Sequence, residues 1–151
     1  MKTEVPYAAS STAFQSAQSP QMAGTERSVR KVLLIDDNAD AADMLACVFE
    51  AKGYTVITTY DGESGIASAA SFLPDVILLD IGMPGMNGFD VVRTLRKTQH
   101  CGGTLIVAHS GYGLETDKQR AREAGFDAHF TKPLAFEEFQ VLMRSHFGLA
   151  P

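Results

Sequence analysis

Short apolar runs alternate along this chain with segments whose apolar residues recur at helical spacing. The apolar runs begin after residue 30 and occupy residues 32–35, 55–58, 76–79, 105–108 and 127–130. The first, third and fourth runs lack polar positions, which is typical of strands that are covered on both faces in a parallel sheet. The segments between and after the runs are predicted to be helices, at residues 39–52, 63–71, 88–98, 117–124 and 136–147.

The first predicted helix has an amphipathic pattern. Its apolar residues at the spacing i, i+3, i+4, i+7 are Ala41, Met44, Leu45 and Val48. Asn38 is the predicted N-cap, because its side chain can accept a hydrogen bond from a backbone N–H of the first turn, and Gly53 is the predicted C-cap.

Five strands that alternate strictly with five helices set the expected architecture. Such alternation implies right-handed βαβ crossovers and a parallel sheet with helices on both faces. Ligands of these α/β folds bind beyond the carboxyl ends of the strands. The residues at those ends are therefore the first candidates for chemistry.

The first 29 residues differ from the rest in composition. Ser, Ala, Gln, Thr and Pro dominate there, and large apolar side chains are sparse. Such a segment cannot bury enough apolar surface to offset the entropy lost on ordering. We therefore expect residues 1–29 to be a disordered tail or linker and residues 30–148 to form the folded domain.

Composition and charge narrow the class of protein. The 151 residues include 13 Lys+Arg and 18 Asp+Glu, so the net charge is −5 and the pI is about 5.3. Nucleic-acid binding depends on clustered basic residues, so we expect no nucleic-acid partner. Two cysteines are too few for a disulfide scaffold, and no apolar run approaches the roughly 20 residues that span a bilayer. The expectation is a soluble, cytoplasmic domain without a membrane partner.

Side chains capable of chemistry stand at the ends of four predicted strands. Asp36 and Asp37 follow the first, Asp80 ends the third, Ser110 lies near the end of the fourth, and Lys132 follows the fifth. In the strand order 2-1-3-4-5 the first and third strands are neighbours, so the three carboxylates come together. Clustered anions repel one another unless a cation is present, and Mg²⁺ prefers oxygen ligands of this kind. A hydroxyl and an ammonium at the same edge suit an incoming phosphoryl group.

Four short motifs at these strand ends share the order seen in one known family. They are the acidic pair Asp36-Asp37, the stretch Leu79-Asp80-Ile81-Gly82-Met83-Pro84-Gly85-Met86-Asn87-Gly88, the pair Ser110-Gly111, and Thr131-Lys132-Pro133. Through them residues 30–148 resemble the receiver domain of two-component response regulators. The resemblance implies a flavodoxin-like (βα)5 three-layer sandwich with a five-stranded parallel sheet in the order 2-1-3-4-5.

The resemblance also implies a role for each residue of the site. Asp80 would accept a phosphoryl group as a carboxylate nucleophile. Lys132 would pair with Asp80 and later with the phosphoryl oxygens, and Ser110 would move toward the phosphoryl group. The implied Mg²⁺ ligands are Asp36, Asp37, Asp80 and the backbone carbonyl of Gly82.

This chain departs from the family at the aromatic residue that takes part in the conformational switch. The position three residues before Lys132 usually carries Tyr or Phe, and here it is His129. The aromatic role is therefore altered, or it passes to Phe130 or to Tyr112, which flanks the pocket by analogy. Because imidazole titrates near neutrality, pH-sensitive switching by His129 is a further hypothesis, beside a plain packing role. Movement of Ser110 would bias a two-state equilibrium in the fourth strand, fourth helix and fifth strand.

The phosphoryl donor implied by the resemblance is a phosphohistidine on a histidine kinase or a histidine phosphotransfer protein. The domain would catalyse its own phosphorylation and dephosphorylation, but it is not predicted to be an enzyme that turns over a separate substrate. No residues after about 148 would be left for an output domain. A stand-alone regulator of a phosphorelay and a receiver from a hybrid kinase therefore both stay open.

Three other functions fit parts of the pattern. A phosphatase of the haloacid dehalogenase type also uses a strand-end Asp with Mg²⁺, but it needs a second Asp where this chain has Gly82. A flavodoxin-like FMN binder needs a phosphate-binding loop after the first strand, where Asp36 and Asp37 would repel the phosphate. A receiver-like interaction scaffold that is never phosphorylated stays open.

Overall fold

The computed structural model describes residues 31–111 and 115–148, including the side chains of all of these except 115–117. The predictions for residues 1–29 and for Tyr112 lie outside the described residues. The strands are β1 (Lys31–Ile35), β2 (Thr55–Thr59), β3 (Val76–Asp80), β4 (Leu105–Ser110) and β5 (Ala128–Thr131). The helices are α1 (Ala39–Ala51), α2 (Gly62–Phe72), α3 (Gly88–Arg96), α4 (Glu115–Ala124) and α5 (Phe136–Phe147), and a short 3₁₀ helix spans Gln99–Cys101.

These strands form one parallel sheet in the order β2-β1-β3-β4-β5. In its centre, Leu33 of β1 lies beside Ile57 of β2 on one side and beside Ile77 of β3 on the other. Because side chains alternate between the two faces of a sheet, this register decides which residues meet on each face. The predicted α/β class and the strand order 2-1-3-4-5 are confirmed.

Both faces of the central strands β1, β3 and β4 are apolar and buried. On one face Leu33 and Ile77 belong to a core that also contains residues of α2, α3 and α4. On the opposite face Leu34 lines a small cavity together with Ala42 of α1. Helices therefore cover both faces, and this is why the corresponding sequence runs lack polar positions.

The apolar positions that give α1 its amphipathic pattern are not the residues that it buries. The helix buries Ala42 and Phe49, whereas Met44 is 72% exposed and Val48 is 41% exposed. Ala42 and Phe49 are themselves seven residues apart, so two apolar stripes compete on this helix. The Phe49 ring removes more apolar area from water than either alternative. It packs edge-on against Tyr54, with 5.5 Å between the ring centroids.

Side-chain caps fix where the helices begin. Asn38 accepts a hydrogen bond from the backbone N–H of Ala41, as predicted, and Asp61 and Asn87 cap α2 and α3 in the same way. Gly53, with φ of +98°, follows the end of α1. Three helices thus start just beyond the carboxyl ends of β1, β2 and β3, where the candidate residues lie.

Arg96 ends α3 two residues earlier than predicted and ties together the loops that follow. Its guanidinium donates hydrogen bonds to the carbonyl oxygens of Cys101, Thr104 and Gly125, and it pairs with Asp127 at 2.7 Å. The unpredicted 3₁₀ helix lies inside this network. These contacts hold the loops that lead into β4 and β5.

The described residues up to Phe136 form one compact unit, which holds the sheet and helices α1–α4, and α5 from Glu137 onward belongs to a second unit. In that part Phe139 and Met143 are buried. Glu137 and Glu138 lie in the first turn, where carboxylates complement the helix dipole. Among the described residues, no helix has both the length and the apolar character needed to cross a membrane.

Candidate functional site

The sheet brings the strand-end residues to one edge. Asp36 directly follows β1 and Asp80 is the last residue of β3, and these two strands pair up to Ile35 and Leu79. Ser110 ends β4, which is the other neighbour of β3. The two carboxylates and the hydroxyl that the sequence placed at strand ends therefore lie on adjacent strands.

Three carboxylates converge at this edge. Asp36, Asp37 and Asp80 each offer a carboxylate oxygen, and these oxygens lie within 4.8 Å of one another. Asp36 and Asp80 are buried, whereas Asp37 is exposed to solvent. The backbone N–H of Asn38 donates to Asp36 Oδ1 at 2.9 Å, and this bond fixes the carboxylate beside the start of α1.

Lys132 supplies the positive charge of the cluster. Its Nζ lies 2.9 Å from Asp36 Oδ2 and 3.5 Å from Asp80 Oδ2. The Lys132–Pro133 peptide bond is cis, and the Lys132 backbone N–H donates to the carbonyl oxygen of Ser110 at 2.7 Å. Burial alone would lower the pKa of Lys132. The hydrogen bond to Asp36 and the charge of Asp80 outweigh that effect and raise it, so the ammonium stays charged.

Opposing effects act on the pKa of the Asp80 carboxyl group. Burial raises the pKa of its carboxyl group above the ordinary value, and the charge of Asp36 raises it further. The Gly82 N–H, which donates to Asp80 Oδ1 at 3.0 Å, and the charge of Lys132 act in the opposite direction without cancelling the burial. The carboxylate therefore sits in an environment that favours added positive charge.

The donor set fits a small hard cation. Carboxylate oxygens are ligands that Mg²⁺ prefers, and ligands at about 2.1 Å from the ion lie at most about 4.2 Å apart. The 4.8 Å spread of the three carboxylate oxygens is close to that limit. The exposed position of Asp37 leaves one side open to water and to phosphate oxygens.

Ser110 contacts His129, which stands where receiver domains usually carry Tyr or Phe. Its hydroxyl lies 2.8 Å from Nε2 of His129, and the tautomer of the imidazole decides which atom donates. His129 is the neighbour of Ala108 in the pairing of β5 with β4, which brings its ring alongside the end of β4. The structure thus joins two residues that the sequence placed in one switch without predicting their contact.

Comparison with known proteins decides the family. A family model described as the response regulator receiver domain matches residues 32–144. This chain belongs to that family. The predicted resemblance is confirmed, and with it the placement in two-component signalling.

Individual relatives of this receiver domain agree with the family match. The polar-differentiation response regulator DivK of Brucella ovis is 27% identical over 119 residues, which cover 79% of this chain and 97% of that protein. The solved structure of the chemotaxis protein CheY4 of Vibrio cholerae is 30% identical with a TM-score of 0.72, covering 78% of this chain and 98% of that one. A putative response regulator of Chloroflexus aurantiacus, 24% identical with a TM-score of 0.73 over 80% and 99% of the chains, supports the fold alone.

Membership of this family implies a general function, a class of partner and a typical metal. Receiver domains of response regulators are generally signal transducers rather than enzymes, and they interact with histidine kinases or phosphotransfer proteins. The family's acidic residues typically bind Mg²⁺, and this receiver has an acidic cluster at the corresponding strand ends.

Two residues near the site of this receiver, His109 and Arg120, are given no role by the resemblance to the family. His109, at the end of β4, is buried, and its Nε2 has no hydrogen-bond partner among the described residues. Burial lowers its pKa to about 4, and the charge of Lys132 adds to this. Its position at a buried strand end is visible in the sequence, but its neutral state is not.

Arg120 of α4 is the second such residue. It lines a cavity of about 310 Å³ with Asp80, Gly82, Phe89 and Ser110. Sequence reasoning missed Arg120, because a charged residue on an exposed helix face is ordinary and its spacing says nothing about the pocket it reaches.

Proposed function

We propose that this receiver domain accepts a phosphoryl group on Asp80 from a phosphohistidine of a histidine kinase or a histidine phosphotransfer protein. One observation carries the proposal. The buried carboxylate of Asp80 lies 3.5 Å from the Lys132 ammonium and shares a 4.8 Å cluster with the oxygens of Asp36 and Asp37. A nucleophile beside both a fixed cation and a set of metal ligands suits phosphoryl transfer, which depends on positioning and charge neutralisation.

The proposed step exchanges one bond to phosphorus for another. A carboxylate oxygen of Asp80 attacks the phosphorus, and the new O–P bond forms as the N–P bond of the phosphohistidine breaks. The electron pair stays on the imidazole nitrogen of the donor, which takes up a proton. Lys132, already 3.5 Å from Asp80, then pairs with the phosphoryl oxygens.

Mg²⁺ is the proposed cofactor. Its ligands would be Asp36, Asp37, Asp80 and the backbone carbonyl of Gly82. When bound, the ion neutralises negative charge on the transferred oxygens. The raised pKa of Asp80 supports this, since its buried carboxylate gains from added positive charge.

The switch is proposed to start at Ser110. When Asp80 is phosphorylated, the Ser110 hydroxyl would turn toward the phosphoryl oxygens and leave Nε2 of His129, which it now meets at 2.8 Å. His129 would then adopt a second position in β5, and the surface formed by β4, α4 and β5 would change. Tyr112 is proposed to flank the same pocket.

The partner surface and the limits of the domain belong to the same proposal. Asp40, Ala41 and Met44 lie on the exposed side of α1, next to the acidic cluster. The 72% exposure of Met44 offers an apolar contact for the phosphohistidine protein.

We infer residues 30–148 as the receiver domain, residues 1–29 as a tail or linker, and a cytoplasmic location. We also infer that the domain catalyses its own phosphorylation and dephosphorylation without a separate substrate.

The experiment is an intact-mass measurement after incubation with Mg²⁺ and acetyl phosphate. We expect one acid-stable, base-labile phosphoryl adduct, absent from Asp80→Asn and absent when EDTA removes the metal. Asp43→Asn, which changes an exposed carboxylate of α1, should keep the adduct. An adduct that persists in Asp80→Asn would disprove the role of Asp80. No adduct, together with no binding of Mg²⁺, would instead favour the unphosphorylated scaffold.

A further inference from the structure

Arg120 faces the proposed phosphoacceptor across a cavity. The cavity of about 310 Å³ is lined by Asp80, Gly82 and Ser110 on the strand side and by Phe89 and Arg120 on the helix side. Because a water molecule occupies about 30 Å³ of liquid, this space admits a phosphoryl group and several waters. Gly82 has no side chain that could separate Asp80 from the cavity. A Cβ added there would have Asp80 Oδ1 as its nearest neighbour, at 3.8 Å.

The packing of α3 and α4 fixes where Arg120 can lie. Ala121 and Ala124 of α4 are buried in the core that also contains Phe89, so the rotation of α4 about its axis is set. The Arg120 guanidinium carbon lies 4.5 Å from the centroid of the Phe89 ring. A cation above an aromatic face is attracted to it. The ring is itself buried and packs edge-on against Phe126, so it is a fixed platform.

Charge makes Arg120 useful in the phosphorylated state. With the proposed Mg²⁺ bound, three carboxylates and one ammonium leave the site without net charge, and an acyl phosphate on Asp80 adds one negative charge. Lys132 is already held between Asp36 and Asp80. Among the described residues that line the cavity, Arg120 is the one cationic side chain. A guanidinium matches phosphate oxygens in a bidentate geometry.

We propose that Arg120 binds the phosphoryl group on Asp80 and so links α4 directly to phosphorylation. This inference rests on the proposed function, since it needs a phosphoryl group at Asp80. Arg120 holds oxygens of the phosphoryl group from the cavity side, opposite Lys132, while its stem keeps contact with Phe89. The surface of α4 is then ordered by a charge contact in addition to the movement of Ser110.

The test is a titration of the full chain with beryllofluoride, a stable mimic of a phosphoryl group, in the presence of Mg²⁺ and followed by ¹⁹F NMR. Arg120→Met keeps an unbranched stem over Phe89 but removes the charge, and we expect it to weaken beryllofluoride binding about tenfold. Arg120→Lys should fall between wild type and Arg120→Met. Arg122→Met is the matched control, because Arg122 lines a different cavity on the same helix, and it should bind like wild type.

A second readout separates a local structural role from phosphoryl binding. The affinity for Mg²⁺ alone should be the same in Arg120→Met and wild type, because Arg120 is not a proposed metal ligand. The melting temperature should fall only slightly, through loss of the contact between the guanidinium and the Phe89 ring. Equal beryllofluoride affinity in Arg120→Met and wild type would overturn the inference, while loss of binding in Asp80→Asn would still uphold the proposed function. If wild type shows no binding that depends on Asp80, the proposed function and this inference both fail.

Discussion

Asp80 and His109 show how burial changes the chemistry of single residues at the end of the sheet. They are register neighbours on β3 and β4. Burial raises the pKa of the Asp80 carboxyl group and lowers that of the His109 imidazole. In both cases the buried site disfavours the charged form, but Asp80 has Lys132 and a proposed metal to offset the cost. His109 avoids it by staying neutral.

The first prediction concerns His109 and acid stability. Its folded pKa of about 4 lies below the ordinary value of 6.5, so the unfolded chain binds the extra proton first as the pH falls. The stability contribution is therefore complete above pH 6.5 and is lost between pH 6.5 and 4. The loss is at most about 1.4 kcal/mol per pH unit, so about 2 kcal/mol disappears between pH 7 and pH 5. Urea denaturation at both pH values should show this loss in wild type and a smaller loss in His109→Gln.

The control for this prediction is His146→Gln, since His146 is exposed on α5. This variant should lose as much stability between pH 7 and pH 5 as wild type. If His109→Gln behaves like wild type as well, the acid sensitivity comes from other groups and the buried imidazole is not its source.

Several site residues could be predicted because their position along the chain decides their place. Asp36, Asp80 and Ser110 end or follow strands that are neighbours, so their convergence follows from strand order alone. The contact between Ser110 and His129 and the reach of Arg120 into the cavity depend on side-chain directions. Such directions are set by packing in three dimensions, and a linear pattern does not contain them.

At the scale of elements, the connection from β3 to α3 is the tightest part of the site. A Cβ added to Gly88 would lie 2.6 Å from the carbonyl oxygen of Asp80 and 2.6 Å from the Cα of Ile81. Both neighbours are backbone atoms, which cannot move without moving Asp80. The glycine at the start of α3 thus allows the helix to begin directly beside the proposed phosphoacceptor.

The second prediction follows from this close approach. Gly88→Ala should lower the free energy of unfolding by about 1–2 kcal/mol, because overpacking costs about 1–3 kcal/mol and the better helix propensity of Ala returns up to about 1 kcal/mol. Gly103→Ala is the matched control, since an added Cβ there meets nothing within 4 Å. It should leave the urea midpoint within a few tenths of a molar unit of wild type. Equal midpoints for the two variants would mean that the connection is more adaptable than its distances indicate.

Elements were easier to predict than the faces they bury. The five strand runs lie within one or two residues of the observed strands. The first, third and fourth runs are the clearest, because runs without polar positions suit a sheet covered on both sides. The sequence does not decide which stripe of α1 is buried, since the pattern through Met44 and Val48 and the pattern through Ala42 and Phe49 both fit helical spacing. Only the sheet itself shows that the large ring is the residue that fits beneath the helix.

At the scale of the whole molecule, the strand order β2-β1-β3-β4-β5 turns residues far apart in the sequence into one site. Lys132 follows Asp36 by 96 residues, yet their side chains are 2.9 Å apart. A cation bound between the carboxylates would therefore cross-link the ends of β1 and β3. Such a ligand stabilises the entire unit, because it binds the folded state and not the unfolded chain.

The last prediction is that Mg²⁺ narrows or reverses the difference in melting temperature between wild type and Asp80→Asn. Without metal, Asp80→Asn should melt at a higher temperature at pH 7. The raised pKa of Asp80 means that its charged form favours unfolding above that pKa, and Asn has no charge to bury. At about 100 times its dissociation constant, Mg²⁺ adds about 2.7 kcal/mol to wild type. At about 3 °C per kcal/mol this corresponds to a shift of roughly 8 °C.

The same melts, followed by circular dichroism in EDTA and in saturating Mg²⁺, decide where the ion binds. Asp80→Asn loses one of the three carboxylates, so its melting temperature should rise much less than that of wild type and the difference between the two should narrow or reverse. NaCl at matched ionic strength should shift both proteins equally, because screening does not depend on one carboxylate. Equal shifts of the two melting temperatures with Mg²⁺ would place the ion away from Asp80. The carboxylate cluster would then not be the metal site that stabilises the fold.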